Sequence, residues 1–207
     1  MRRASRRIVL VAQLLALLLA LAVTGTRADD IEVRDVRLQA VDEGLVLNAD
    51  CQLELTPRLT DIVANGVPLY FVVEFALSRP RWYWLDEKTA VRRLQLRLSY
   101  HALSRQYRFS TGLLQQNFAT LGEALNVLQR VRNWLVVDRS VTLSDADYDA
   151  AVRMRLDTTL LPKPFQLSAL TSRELNLESP WKRFIVRAPE HVPAPVESRE
   201  QKGTDER

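Results

Sequence analysis

Residues 45 to 55 alternate without a break. Leu45, Leu47, Ala49, Cys51, Leu53 and Leu55 fall on one side of an extended chain, and Asn48, Asp50, Gln52 and Glu54 on the other. This is the period-two signature of a half-buried strand. Upstream, Ile31 and Val33 share one phase and Val36 and Leu38 the other, so a strand with a bulge near Asp35 is expected. Asp42-Glu43-Gly44 predicts a three-residue hairpin connection with glycine last. Thr56-Pro57 reads as a helix N-cap followed by a proline in the first turn, and Asn65-Gly66 as the stop. Leu59, Ile62 and Val63 sit between them at helical spacing, which predicts a short helix. Leu69, Phe71, Val73, Phe75 and Leu77 then form one face of a second strand. Tyr70, Val72 and Ala76 make its other face partly apolar, as expected of a central strand or one covered on both sides.

Leu94, Leu96, Leu98 and Tyr100 alternate with Arg93, Gln95, Arg97 and Ser99, a third strand; Tyr107 and Phe109 mark a short fourth. Thr120-Leu121-Gly122-Glu123 is a capping box. Leu121, Ala124, Leu125, Leu128 and Val131 follow at spacings of three and four, predicting an amphipathic helix through about Trp134. Ala150, Val152, Met154 and Leu156 alternate with Ala151, Arg153, Arg155 and Asp157, another strand. The pattern dissolves over 158–180 around Pro162 and Pro164, and Phe184 and Val186 suggest a closing strand. The expected fold is mostly β: an antiparallel β-sandwich, immunoglobulin-like or similar, over 29–187, with one amphipathic helix and one short helix. An α+β layered fold is the alternative. Residues 188–207 hold Pro189, Pro193, Pro195, mixed charges and no aromatic residue, and are expected to be a disordered tail.

The first 28 residues read as a secretory leader. Met1 to Arg7 is basic, Ile8 to Val23 is apolar except for Gln13, and Thr26-Arg27-Ala28 offers small residues where a signal peptidase reads. Cleavage after Ala28 would leave a periplasmic protein. An uncleaved leader would leave one anchored in the inner membrane and facing the periplasm, although the apolar run is short for a span.

That leader changes the meaning of the charge. The 207-residue chain carries a net +4, which invites a nucleic-acid reading. Five of its 29 bases (Arg2, Arg3, Arg6, Arg7 and Arg27) lie in the leader, where there is no acid. The rest of the chain has 24 bases against 25 acids. Within it, 79–108 carries Arg79, Arg81, Lys88, Arg92, Arg93, Arg97, Arg105 and Arg108 against Asp86 and Glu87, a local +6. Arginine suits bidentate contacts to carboxylate or phosphate and stacks on rings. The aromatic residues Trp82, Tyr83, Trp84, Tyr100, Tyr107 and Phe109 are interleaved. Either this is the outer face of a sheet paired with acids from 29–54, where eight acids face two bases, or it is a surface for an acidic protein partner or anionic lipid headgroups. Nucleic acid is not expected, since an exported protein rarely meets it.

Arg79-Pro80-Arg81-Trp82-Tyr83-Trp84 is the most distinctive stretch. Proline there marks an edge, a bulge or a strand end. It is expected to reset the phase and turn Trp82 and Trp84 into the core; an exposed aromatic rim is the alternative. The candidate interaction surface is therefore Arg79, Arg81, Trp82, Tyr83, Trp84, Arg93, Arg97, Arg105 and Arg108.

Other chemistry finds little support. Cys51 sits on an apolar face and reads as a buried small hydrophobe. With that single cysteine and only His101 and His191, a His/Cys zinc site is excluded. Asp145, Asp147 and Asp149 begin like a calcium loop, but Ala150 and Leu156 hold its glycine and glutamate positions. There is no G-x-S-x-G and no phosphate loop. Adjacent Asp86 and Glu87 are a weak hydrolase signal. The chain is read as non-enzymatic, with no catalytic residue, cofactor or metal.

Ala64-Asn65-Gly66-Val67-Pro68-Leu69-Tyr70-Phe71, the Arg79–Trp84 stretch with Asp86-Glu87, Leu98 to Tyr107, and Leu161-Pro162-Lys163-Pro164-Phe165 together carry a resemblance. Over about 29–187 the chain resembles the exported bacterial domain-of-unknown-function family four-three-nine-zero, also called proline-rich signal-peptide proteins. The resemblance implies no assigned activity and supplies no catalytic residues. It implies genes encoded beside a nitrogen-regulation-type sensor kinase and response regulator, hence a setting in envelope signalling. The expected function is an exported interaction module docking an acidic partner, such as an inner-membrane sensor. The alternative is a periplasmic carrier or sensor of an apolar or anionic lipid-like ligand, held by Trp82, Trp84 and the 158–180 segment.

Overall fold

The computed structural model describes residues 31–80, 87–141, 143–144 and 146–187. The expected leader, the expected tail and the Arg81–Trp84 stretch lie outside the described residues. Among the described residues, no helix is long and apolar enough to cross a membrane.

The chain is a mostly β sandwich of two antiparallel sheets. Its strands are β1 (Ile31–Val41), β2 (Gly44–Leu53), β3 (Leu69–Arg79), β4 (Glu87–His101), β5 (Gln106–Thr111), β6 (Leu114–Phe118), β7 (Arg130–Asp138), β8 (Asp147–Leu156) and β9 (Lys182–Arg187). The small sheet runs β1-β2-β7 and the large one β6-β5-β4-β3-β8-β9. The alternating face of β2 and that of β3 meet in one core. Leu47, Leu53, Leu69, Phe71, Phe75 and Leu77 are all nearly inaccessible, and Phe75 meets Trp134 of the small sheet edge-on, centroids 6.5 Å apart. β3 is central, flanked by β4 and β8, as its two partly apolar faces required. The phase slip in β1 is a bulge between Val33 and Asp35.

Helix α1 (Pro57–Ala64) carries the chain from the small sheet to the large one. Thr56 caps it by accepting from the Leu59 amide, and Leu59, Ile62 and Val63 are its buried face. Helix α2 (Leu121–Leu128) carries it back, with the expected capping box complete at Thr120 and Glu123.

Three expectations are corrected, and one strand had no expectation behind it. The amphipathic helix does not reach Trp134: it ends at Leu128, and Arg130–Asp138 is β7. Val131 fits both periods, and a left-handed Asn133 and two register shifts against β2 erase the alternation that would have exposed the strand. The β1–β2 turn is the two residues Asp42-Glu43, because Gly44 already pairs with Val41. Gly44 is there for close approach: its φ is +141°, and a Cβ would stand 2.1 Å from the Val137 carbonyl oxygen. The segment 158–180 is structured, with 3-10 turns at Thr158–Leu160 and Arg173–Leu175 around helix α3 (Lys163–Thr171). Pro162 and Pro164, around which the pattern dissolves, start that helix, where a missing amide costs nothing. Finally, β6 has four exposed residues out of five and so carried no apolar signal.

Candidate functional site

The small sheet covers one face of the large sheet, and the opposite face is built from the residues that alternate with the core. In β3 these are Tyr70, Val72, Glu74, Ala76 and Ser78. Strand register places Arg93 of β4 and Arg153 of β8 on either side of Glu74. Glu74 is 5% exposed, a carboxylate buried at the centre of a sheet face. The Arg153 Nε–H donates to Glu74 Oε2 at 2.7 Å. Arg93 Nε lies 3.2 Å from Oε1, and the Arg155 guanidinium donates to Oε1 at 3.5 Å. Burial alone would raise the Glu74 carboxyl. The Arg153 hydrogen bond and the charges of Arg153, Arg155 and Arg93 outweigh it and hold the group below its usual value.

Three guanidiniums thus share one buried carboxylate. Arg153 also stacks under Trp181, 4.6 Å from the ring centroid, and lies 4.0 Å from Glu178; Arg155 lies 3.9 Å from Asp157. These two are held, each about one quarter exposed, whereas the Arg93 side chain is 71% exposed. Four residues along β4, about 13 Å at strand spacing, Arg97 lies over the Tyr70 ring at 5.7 Å. Beyond it, Arg108 of β5 donates to Asn117 Oδ1 on β6 at 3.2 Å. Arg183 and Arg187 continue the face on β9, opposite Ala151 and Asp147.

The predicted surface is therefore partly one surface. Arg93, Arg97 and Arg108 share the outer face of the large sheet. Arg105 sits on the β4–β5 turn with φ +52°, and Arg79 at the far end of β3, opposite Glu87 in register. β4 is 15 residues long, so those two arginines are separated by about 45 Å at strand spacing and do not belong to one contact. Arg81, Trp82, Tyr83 and Trp84 lie outside the described residues, as does the question of whether the tryptophans are core. Pro80 directly follows the last residue of β3, one of the positions expected for it.

The expected pairing of these arginines with acids from 29–54 is corrected. Three of those acids sit on the small sheet and pair there: Glu32 with Arg34, Asp35 with Arg37, and Asp50 with Arg132. The carboxylate that meets the Arg-rich strand is Glu74. Glu74, Arg153, Arg155 and Trp181 were missed because a window on 79–108 contains none of them. The available signal was a lone acid on an otherwise apolar strand, together with arginines on the polar phase of Ala150–Leu156.

The remaining candidates are chemically quiet. Cys51 is buried, and burial, with the Asp50 charge added, pushes its thiol up to about 12, so it reads as a packing residue. The His101 ring Nδ1 and Ser104 Oγ are 3.2 Å apart within an exposed turn. Asp147 pairs with Arg187 at 3.3 Å. No group of three or more His, Cys, Asp or Glu among the described residues could hold a metal. From the 158–180 segment, Leu161, Leu175 and Leu177 are buried in the common core.

No curated protein matches the chain, and no solved structure does. The family model described as Domain of unknown function (DUF4390) matches residues 28–185, most of the chain, which therefore belongs to that family.

Proposed function

We propose that the protein is an exported, non-catalytic interaction module of the bacterial envelope that docks an acidic protein partner on the outer face of its large sheet. The observation that carries this reading is the arrangement around Glu74. A single carboxylate anchors Arg153 and Arg155 and leaves Arg93 largely in solvent, with Arg97 on its tyrosine and Arg108 further along. A planar guanidinium held at its base and open at its tip is prepared for a carboxylate from another chain, because less side-chain freedom is lost on contact. Placement in the periplasm rests on the leader pattern of residues 1–28, and a membrane sensor as partner rests on the genomic setting that the family resemblance implies.

The experiment is charge reversal at two exposed positions outside the apolar core, with Arg153 and Arg155 left in place to hold Glu74. In a pull-down from an envelope extract at low salt, the wild-type protein is expected to retain an acidic partner that R93E/R97E loses, with both proteins giving the same circular dichroism spectrum. A partner retained equally by both counts against this surface.

A further inference from the structure

The large sheet ends at β9, whose second side has no strand beside it among the described residues. Exposed edges normally carry a guard: a bulge, a proline, charged side chains or very short length. β1 has its bulge and alternating Glu32, Arg34, Asp35 and Arg37. β7 has its register shifts and left-handed Asn133. β6 is five residues long and uncharged. β9 is six residues long with an unbroken register against β8, and its guard is basic charge alone: Lys182, Arg183 and Arg187, with no proline and no acid. Its inward residues Phe184 and Val186 are half-buried, and its outward residues are Arg183, Ile185 and Arg187. Ile185 is 73% exposed, a large apolar side chain between two guanidiniums.

We propose that β9 is the docking edge, and that an extended segment of the acidic partner adds to it as a further strand, setting an acid-x-apolar-x-acid run opposite Arg183, Ile185 and Arg187. This inference rests on the acidic-partner reading above and names how that partner is held. Backbone pairing supplies affinity in such strand addition, and alternate side chains supply specificity. Charge selects the occupant. A second copy pairing antiparallel about Ile185 would set Arg183 opposite Arg187 on both sides of the axis, and like charges directly opposite one another are destabilising. An acidic strand meets opposite charges at the same two positions. The Arg187 contact with Asp147 is between exposed groups, 3.3 Å apart, and such pairs contribute little and yield readily. Beside β9, an open trough of about 320 Å³ lined by Ala76, Ser78, Asp149, Ala151, Trp181 and Arg183 gives room for neutral side chains of the added strand that lean over the sheet, Asp149 steering its acids toward the arginines instead.

The probe is a short capped peptide in which threonine alternates with glutamate, valine and glutamate, titrated into the purified protein by fluorescence anisotropy. Two N-methylated isomers of it have identical composition, one methylated on the amides that would face β9 and the other on those that would face away. The expected result is that the first binds at least about tenfold more weakly than the parent, a loss of about 1.4 kcal/mol, while the second binds as the parent does, and that R183E/R187E abolishes parent binding. Isomers that bind alike overturn the proposal. So does concentration-dependent self-association of the protein alone that R183E/R187E removes, since the edge then serves a second copy. If the isomers bind alike while R93E/R97E still loses its partner, the added strand fails and the acidic-partner surface stands. If the isomers differ while R93E/R97E keeps its partner, the edge stands and the β4 surface fails.

Discussion

Glu74→Ala is expected to destabilise the fold by about 3 kcal/mol. Removing one partner of a buried ion pair costs about 3–5 kcal/mol because the other charge is left uncompensated. The lower end applies here, since Arg93 can turn into solvent while Arg153 and Arg155 are held. The dependence on pH has a fixed sign. The Glu74 carboxyl titrates below its ordinary value of 4.5 in the folded protein. Its stabilising contribution is therefore fully present above that value and is lost as pH falls through the lower, folded one. Urea melts of the wild type should lose stability on acidification below about pH 5, and Glu74→Gln should flatten that part of the profile. Equal slopes for both proteins would show that Glu74 does not organise the arginines.

Phe75→Ala, one residue away and on the opposite face, is expected to cost about 4 kcal/mol, in the range for a buried phenylalanine truncated in a core. Phe75 is 0% exposed and joins the two sheets through its edge contact with Trp134. Its loss leaves a cavity on a central strand held rigidly by neighbours on both sides. That loss should be independent of pH between 4 and 8, unlike the Glu74 effect, because no titrating group is involved. If the alanine variant does not fold, Phe75→Leu keeps the test available with a cost of about 1–2 kcal/mol. A Phe75→Ala protein within about 1 kcal/mol of wild type would contradict the placement of this residue in a packed core.

Much of this architecture was legible because local signals agreed with the tertiary result. The face of β2 from Leu45 to Leu53, the face of β3 from Leu69 to Leu77 and the two capped helix starts at Thr56 and Thr120 each combine a period with a boundary residue. The illegible parts had one or the other removed. β7 lost its period to a bulge and to Asn133, and α3 hid behind two prolines whose meaning depends on which side of them the helix lies. The site was legible by half. Arg93 and Arg97 declared themselves as a charge cluster, but Glu74 on β3 and the pair Arg153 and Arg155 on β8 are distant in sequence from them and from each other. Only strand register brings them together, and no local pattern encodes the β3–β8 pairing. For the same reason an excess of acids in 29–54 suggested the wrong partners: Glu32, Asp35 and Asp50 pair on the other sheet.

The central claim is that the outer face of the large sheet, organised by Glu74, presents the exposed guanidiniums of Arg93 and Arg97 to an acidic partner. It is tested most directly by following the arginine side-chain Nε–H signals by NMR while an acidic peptide is added. The account predicts shifts at Arg93 and Arg97, with Arg153 and Arg155 little moved because Glu74 and its neighbours already hold them, and with Arg34 and Arg37 of the small sheet unchanged. Shifts at Arg34 and Arg37 without any at Arg93 and Arg97 would contradict it.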